Sequence, residues 1–339
     1  RAQEAGIAPT LCTYHKTVMG MMETGVLHAP RLAVTTSCAC DGNLSTFRQL
    51  GQRMDVPMVL LDVPYDSDDA SVDYLADQLR ELTHTLEELT GVPFDESHLS
   101  HLLEVERETN ALAWEFMRLQ AEHFYPAEFI HHLFFVLAMQ LSAGSEELRD
   151  LLRFMVDDIK RAPRLQGDKI LWVHLMPYYQ QSLKAAFDYS PAHQIVAVDM
   201  AFCTMSDLAD ADPFRALAKK LIGNAMNGPY ERKLALVDRL LDATHADGVI
   251  HFCHWGCKQS AGGSALLREH LHEASVPLLQ LDGDGIDERN SHDGQIKTRL
   301  EAFFEVLEAK RAKSDEQGGA SSGESDAQGG GVEAKDGAR

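Results

Sequence analysis

The stretch from Asp247 to Asp284 constrains the fold more than any other part of the chain. An apolar run, Gly248-Val-Ile250, leads into His251-Phe-Cys-His-Trp-Gly-Cys-Lys-Gln-Ser-Ala-Gly-Gly263. Ser264 to Ala274, rich in Ala, Leu and Glu, reads as a helix, and Pro277-Leu-Leu-Gln-Leu281 as a strand ending in Asp282-Gly-Asp284. Strand, glycine-bearing loop, helix and strand in that order make one β-loop-α-β unit. In α/β folds ligands gather at the carboxyl ends of strands, where loops expose side chains and helix N-termini present free N–H groups. Cys253 and Cys257 are both expected in that loop.

The same arrangement recurs upstream without the same sequence. Leu32 to Thr36 reads as a buried strand running into Ser37-Cys-Ala-Cys-Asp-Gly42, a helix to about Arg53, and a strand at Pro57 to Asp62. Cys12 stands at the start of a helix carrying Val18, Met21 and Met22 and closed by Gly25, where the macrodipole favours a thiolate. Strands are expected again at Lys169 to Val173 and Gln194 to Val198, the second followed closely by Cys203. Between these regions apolar residues recur at helical spacing, with Trp114, Phe134 and Phe135 expected in the core. The expected division is an N-terminal α/β domain over 1–70, a helical segment over 71–162, a C-terminal α/β domain over 163–312 and a disordered tail over 313–339. That tail is Gly, Ser, Glu, Asp, Gln and Ala, with too little apolar surface to order itself. The first residue is Arg1 and an element begins almost at once, so the natural N-terminus is expected upstream.

Charge narrows the partners. With 31 basic and 52 acidic residues the formal net charge is −21, which repels phosphate backbones and anionic lipid. Neither nucleic acid nor membrane is expected as a partner; the expectation is a small substrate or soluble partner reached through a local basic patch. No apolar run is long enough to span a bilayer and no signal pattern opens the chain, so a cytoplasmic location is expected. There, six scattered cysteines are expected as metal ligands or free thiols rather than disulfides.

Cys253 and Cys257 are separated by three residues, not the two of a zinc ribbon or thioredoxin-like pair, so a complete metal site must draw ligands from elsewhere. Cys12, Cys38, Cys40, Cys253 and Cys257, with Cys203 as a further contributor, lie where loops of two facing domains could converge. Thiolates so distributed suit an iron–sulfur cluster, and three thiolates on a [4Fe-4S] cluster leave one iron open. A Cys/His hydrolase pairing one cysteine with a histidine, for example Cys257 with His254 or His251, or a zinc protein, is the alternative. Nucleotide binding is excluded: there is no phosphate-loop motif and no convincing Gly-x-Gly-x-x-Gly after a strand. His254, Lys258 and Ser260, with Trp255 and Gln259, are candidate substrate or supporting groups. Asp282, Asp284 and Asp287 are expected to cap a turn and pair with Arg289 or Arg299 rather than hold Ca²⁺ or Mg²⁺.

The segments Leu11-Cys-Thr-Tyr14, Cys40 followed by Val56-Pro-Met-Val-Leu-Leu-Asp-Val-Pro-Tyr65, Asp247-Gly-Val-Ile250 with Cys257-Lys258, and Leu281-Asp-Gly-Asp284 with Asp287, Arg289, Asn290 and Thr298-Arg299 carry a resemblance. Together they resemble the 2-hydroxyacyl-CoA dehydratase D-component family, which also includes subunits related to benzoyl-CoA reductase and the double-cubane-cluster proteins. The resemblance implies two flavodoxin- or Rossmann-like parallel-sheet α/β domains with a helical insert, and an oxygen-sensitive cluster between them. It implies a homologous second subunit or a self-dimer, and an ATP-hydrolysing [4Fe-4S] activator. That activator injects a low-potential electron, and a ketyl radical on the acyl-CoA thioester then expels the hydroxyl of an (R)-2-hydroxyacyl-CoA to leave an enoyl-CoA. Cys12, Cys40 and Cys257 match the three ligand positions. Cys38 and Cys253 are extra, and with Cys203 they would supply enough thiolates for an [8Fe-9S] double cubane, whose chemistry is reduction of small molecules.

Overall fold

A computed structural model of the chain describes residues 1–323 and shows an α/β protein with two parallel sheets. In the N-terminal part, α1 (Thr13–Glu23) precedes β1 (Ala33–Thr36), α2 (Asp41–Met54) and β2 (Met58–Leu61), with β1 and β2 paired in parallel. Four helices follow: α3 (Asp69–Thr90), α4 (Glu96–Gln120), α5 (Phe129–Leu141) and α6 (Glu146–Ile159). Their starts are legible in the side chains, since Asp68, Asp95 and Ser145 each accept from backbone N–H groups of the first turn. Gly91 ends α3 in the left-handed conformation that a Cβ disfavours.

The larger sheet has the order β4-β3-β5-β6, all parallel, from β3 (Asp168–Val173), β4 (His193–Val198), β5 (Gly248–His254) and β6 (Leu278–Gly283). β3 and β5 are central and buried almost throughout, which is why they read as apolar runs rather than alternating patterns. Around the strands stand α7 (Gln181–Phe187), α8 (Asp199–Phe202), α9 (Pro213–Ile222), α10 (Glu231–Thr244), α11 (Lys258–Ala261), α12 (Ser264–Glu273) and α13 (Asp293–Gly323). The main core joins Ile170, Leu171 and Trp172 of β3 to Leu240 of α10, Leu267 of α12 and Phe303 of α13. A second core packs Val72, Leu75 and Leu79 of α3 against Phe214, Ala218 and Ile222 of α9, so a helix from late in the chain closes the N-terminal sheet's neighbourhood.

Three expectations need correction. β5 runs to His254, so Cys253 is a buried strand residue and only Cys257 belongs to the loop. Phe134 is 56 % exposed, on the outer face of α5, while Trp114 and Phe135 pack partly buried against the main core. α13 continues to Gly323, past the expected start of the tail at 313; the rest of that tail, 324–339, lies outside the described residues. No helix among the described residues is long and apolar enough to cross a membrane.

Candidate active site

Three of the six cysteines share one structural position. Cys12 is the N-cap of α1, Cys40 of α2 and Cys257 of α11, each on the loop that delivers the chain into a helix. In none of them does the side chain cap the helix, so the sulfurs are left for other partners. Close backbone approach brings the loops together. Gly256 has φ +71°, and a Cβ there would lie 2.6 Å from the Cys12 nitrogen and 2.6 Å from the Thr10 oxygen. A Cβ on Gly42 would lie 2.6 Å from His15 Nε2. At Gly256 the neighbours are backbone atoms, so only glycine allows the approach; at Gly42 a side chain would have to displace the His15 ring.

Each of these sulfurs has one histidine. His254 Nε2 lies 3.2 Å from Cys12 Sγ, His15 Nε2 3.4 Å from Cys40 Sγ, and His174 Nε2 3.3 Å from Cys257 Sγ. Burial holds all three imidazoles below their ordinary value; for His174, placed well below, Lys233 and the neighbouring His251 and His254 add to the effect. Cys12 is pushed up to about 11, chiefly by burial and further by Cys257 and Cys40, against the lowering effect of the Tyr14 and His15 N–H groups. The sulfurs of Cys257 and Cys40 thus lie within electrostatic reach of Cys12. A thiol held this high keeps its proton at neutral pH unless a metal cation takes the proton's place.

The other three cysteines are surrounded differently. Cys38 lies in the α3–α9 core with its sulfur 4.0 Å from the Leu221 carbonyl. Cys203 caps the end of α8 and donates to the Met200 carbonyl at 3.3 Å. Burial raises Cys38 to about 11, and burial with Asp199 raises Cys203 to about 12. Cys253 is raised to about 12 by burial and by Asp282. Among the described residues no three His, Cys, Asp or Glu side chains stand close enough to hold a single ion.

The sequence-derived candidates fall into separate roles. His254 is fully buried, and its Nδ1 accepts the Gly285 N–H at 2.9 Å. Ser260 is also fully buried, its hydroxyl accepting the His254 N–H at 3.0 Å, so it positions that histidine and faces no open space. Lys258 is exposed and ion-paired with Asp41, linking the Cys257 and Cys40 loops at the surface. Gln259 ties the same loops by donating to the Ala39 carbonyl at 2.7 Å. Trp255 is 53 % exposed beside them, not in the core. Neither of the two pairings expected for Cys257 forms: His254 faces Cys12, neither ring nitrogen of His251 has a hydrogen-bond partner, and the histidine beside Cys257 is His174. The aspartates behave as turn groups, Asp287 pairing with Arg289 at 2.6 Å and Asp282 with Arg299 at 3.6 Å. Asp284 accepts from Thr13, Asn290 and the N–H groups of Ile286 and Asp287.

His15 and His174 are not among the sequence-derived candidates. A signal exists for His174, which directly follows β3 at a strand's carboxyl end. Behind it lies a fully buried ion pair: Lys233 Nζ is 3.2 Å from Asp199 Oδ2 and 3.5 Å from His174 Nδ1, while Asp199 Oδ1 accepts the His174 backbone N–H at 2.6 Å. Burial alone would lower the Lys233 ammonium, but Asp199 outweighs it and holds it above its ordinary value. On the far side of α1 an open cleft of about 610 Å³ is walled by Thr13, Lys16, Tyr178, Tyr179, Asp287 and Arg289.

With this geometry described, comparison with known proteins is decisive on kinship. Residues 1–307 match the family described as 2-hydroxyglutaryl-CoA dehydratase, D-component. The chain belongs to that family. Its similarity to curated relatives is distant but long. It is 21 % identical to the (R)-phenyllactyl-CoA dehydratase alpha subunit of Clostridium sporogenes over 91 % of this chain and 80 % of the relative. To the (R)-2-hydroxyisocaproyl-CoA dehydratase alpha subunit of Clostridioides difficile the figures are 21 %, 91 % and 80 %. A benzoyl-CoA reductase polypeptide of Thauera aromatica is 23 % identical, over 92 % of this chain and 80 % of the relative. The relatives of this chain thus include both dehydratases and a reductase.

Proposed function

We propose that the chain is the iron–sulfur subunit of a 2-hydroxyacyl-CoA dehydratase-type enzyme, holding one [4Fe-4S] cluster through Cys12, Cys40 and Cys257 where its two α/β regions meet. The single observation that carries this reading is the convergence of three thiols, each at a helix N-cap and each faced by one imidazole. Three thiolates suit a cubane with one iron open to a further ligand. When bound, such a cluster supplies a single low-potential electron and a Lewis-acidic iron.

The chain's own residues supply the rest. Gly42 and Gly256 let the loops close, Ser260 and Gly285 fix His254, and Lys233 with Asp199 fixes His174. The cleft on the far side of α1 is of a size for a small ligand, and Lys16 places a cation in its wall beside the paired Arg289 and Asp287, where a phosphate of an acyl-CoA would be met. Relatives named as alpha subunits support a second subunit as partner. An ATP-dependent activator as electron source belongs to the same proposal.

A double cubane is less well supported, because Cys38, Cys203 and Cys253 face carbonyls, an amide or a carboxylate rather than imidazole donors. Anaerobic purification followed by iron, sulfide and zinc analysis tests the reading. About four irons and four sulfides per chain are expected. Stoichiometric zinc, or a metal-free chain under strict anaerobiosis, contradicts it, and about eight irons favours the double cubane.

A further inference from the structure

Resting on the cluster reading above, we propose that His15, His174 and His254 are positioning residues that form a fixed set of N–H donors, one to each cysteine ligand. The set holds electron density away from the sulfurs and so raises the cluster's reduction potential above that of the bare three-thiolate site.

The direction of two of the three hydrogen bonds follows from the atom on the other side of the ring, and at His15 that atom permits the same direction. A neutral imidazole has one N–H and one acceptor nitrogen. His254 Nδ1 already accepts the Gly285 N–H at 2.9 Å, so its proton is on Nε2, facing Cys12. His174 Nδ1 faces the Lys233 ammonium at 3.5 Å, a group that can only donate, so its proton is on Nε2, facing Cys257. His15 Nδ1 faces the Thr46 hydroxyl at 3.0 Å, which can donate to it and leave Nε2–H for Cys40. A metal-bound thiolate has no proton and can only accept. All three donors thus match what the sulfurs need once ligated.

The supports come from separate elements: the turn after β6 for His254, the Asp199–Lys233 pair for His174, and α2 for His15. Cys38, Cys203 and Cys253 have no such imidazole among the side-chain hydrogen bonds of the described residues, so the donors go with the proposed ligands and not with cysteines in general. Hydrogen bonds to cluster sulfurs stabilise the more negative, reduced state.

The test uses the anaerobically purified holoprotein and measures iron per chain and midpoint potential by redox titration followed by EPR. His15→Leu and His174→Leu remove a donor; His15→Gln and His174→Gln replace it with an amide N–H. The Leu variants are expected to keep their iron while the reduced fraction relative to oxidised at fixed poise falls about tenfold, ~59 mV for one electron. The Gln variants should stay near the native potential. His15 is the least buried of the three at 7 % exposure, against 3 % for His174 and 0 % for His254, and carries the test if His174→Leu does not fold. Iron lost from a Leu variant but kept at native potential in the matching Gln variant also supports the donor role. Iron-loaded Leu variants at the native potential, or equal iron loss in the Leu and Gln variants, overturn it. A native protein without iron overturns the cluster reading itself, and the iron count tells that failure from the others.

Discussion

His174 Nε2 lies 3.3 Å from Cys257 Sγ although the two residues are 83 positions apart, because each stands at the carboxyl end of one of two paired central strands. β3 ends at Val173, which pairs with His251, and β5 runs on to His254, so His174 leaves the sheet three residues short of the end of β5. His174 does so at φ +78°, a conformation costly for a residue with a Cβ, held by its N–H bond to Asp199.

The Lys233–Asp199 pair should be an Achilles heel of the fold. Removing one partner leaves an uncompensated buried charge, so Lys233→Met is expected to cost about 3–5 kcal/mol in urea unfolding. The double variant Lys233→Met/Asp199→Asn should recover most of it. A Lys233→Met variant within about 1 kcal/mol of native, roughly the effect of an ordinary surface change, would show that the pair is not closed in solution.

Gly256→Ala and Gly25→Ala separate backbone strain from collision. Both glycines have positive φ, +71° and +69°, but a Cβ at Gly25 meets nothing within 4 Å. Gly25→Ala is expected to cost about 1–2 kcal/mol and to leave metal content unchanged. Gly256→Ala should cost more and also deplete iron, since it forces apart the loops bearing Cys257 and Cys12. Equal effects on both stability and iron would contradict this.

Acid should destabilise the chain through neutral histidines held away from water, His251 fully buried and His132 partly so. Burial lowers His132 and His251 to about 4, further lowered by His131 and Lys233 respectively. The unfolded state binds protons below its ordinary histidine pKa of about 6.5 while the folded state does not, so stability is full above about 6.5 and declines as pH falls toward 4. For fully buried His251 the loss is on the order of 3 kcal/mol across that window. His251→Leu, which removes two unpartnered nitrogens, should be near neutral at pH 7 and should flatten the slope. An unchanged slope measured by urea denaturation at pH 7 and pH 5 sinks the assignment.

Much of this architecture is legible locally. The strand–loop–helix units around Cys40 and Cys257 follow from apolar runs ended by glycine-bearing loops, and Cys12 at a helix start follows from periodicity. What periodicity cannot supply is which surfaces meet. His15 lies on the first turn of α1 yet serves Cys40, and Lys233 sits in an ordinary-looking amphipathic helix yet is buried on an aspartate from α8. Cys253 reads as a loop residue because His251 and His254 look polar; the sheet buries both histidines and extends the strand through them. Phe134 reads as core by its type alone, and a helix rich in apolar residues on every side leaves one face outward.

The most direct measurement is iron per chain in six single Cys→Ala variants purified anaerobically. Cys12→Ala, Cys40→Ala and Cys257→Ala should each lose most of the iron, because a cubane already open at one iron does not tolerate a second. Cys38→Ala, Cys203→Ala and Cys253→Ala should keep it, at a cost in stability alone. Losses that extend to at least two of the latter three would contradict a single cluster in favour of a double cubane, and full retention in all six would contradict any cysteine-held cluster.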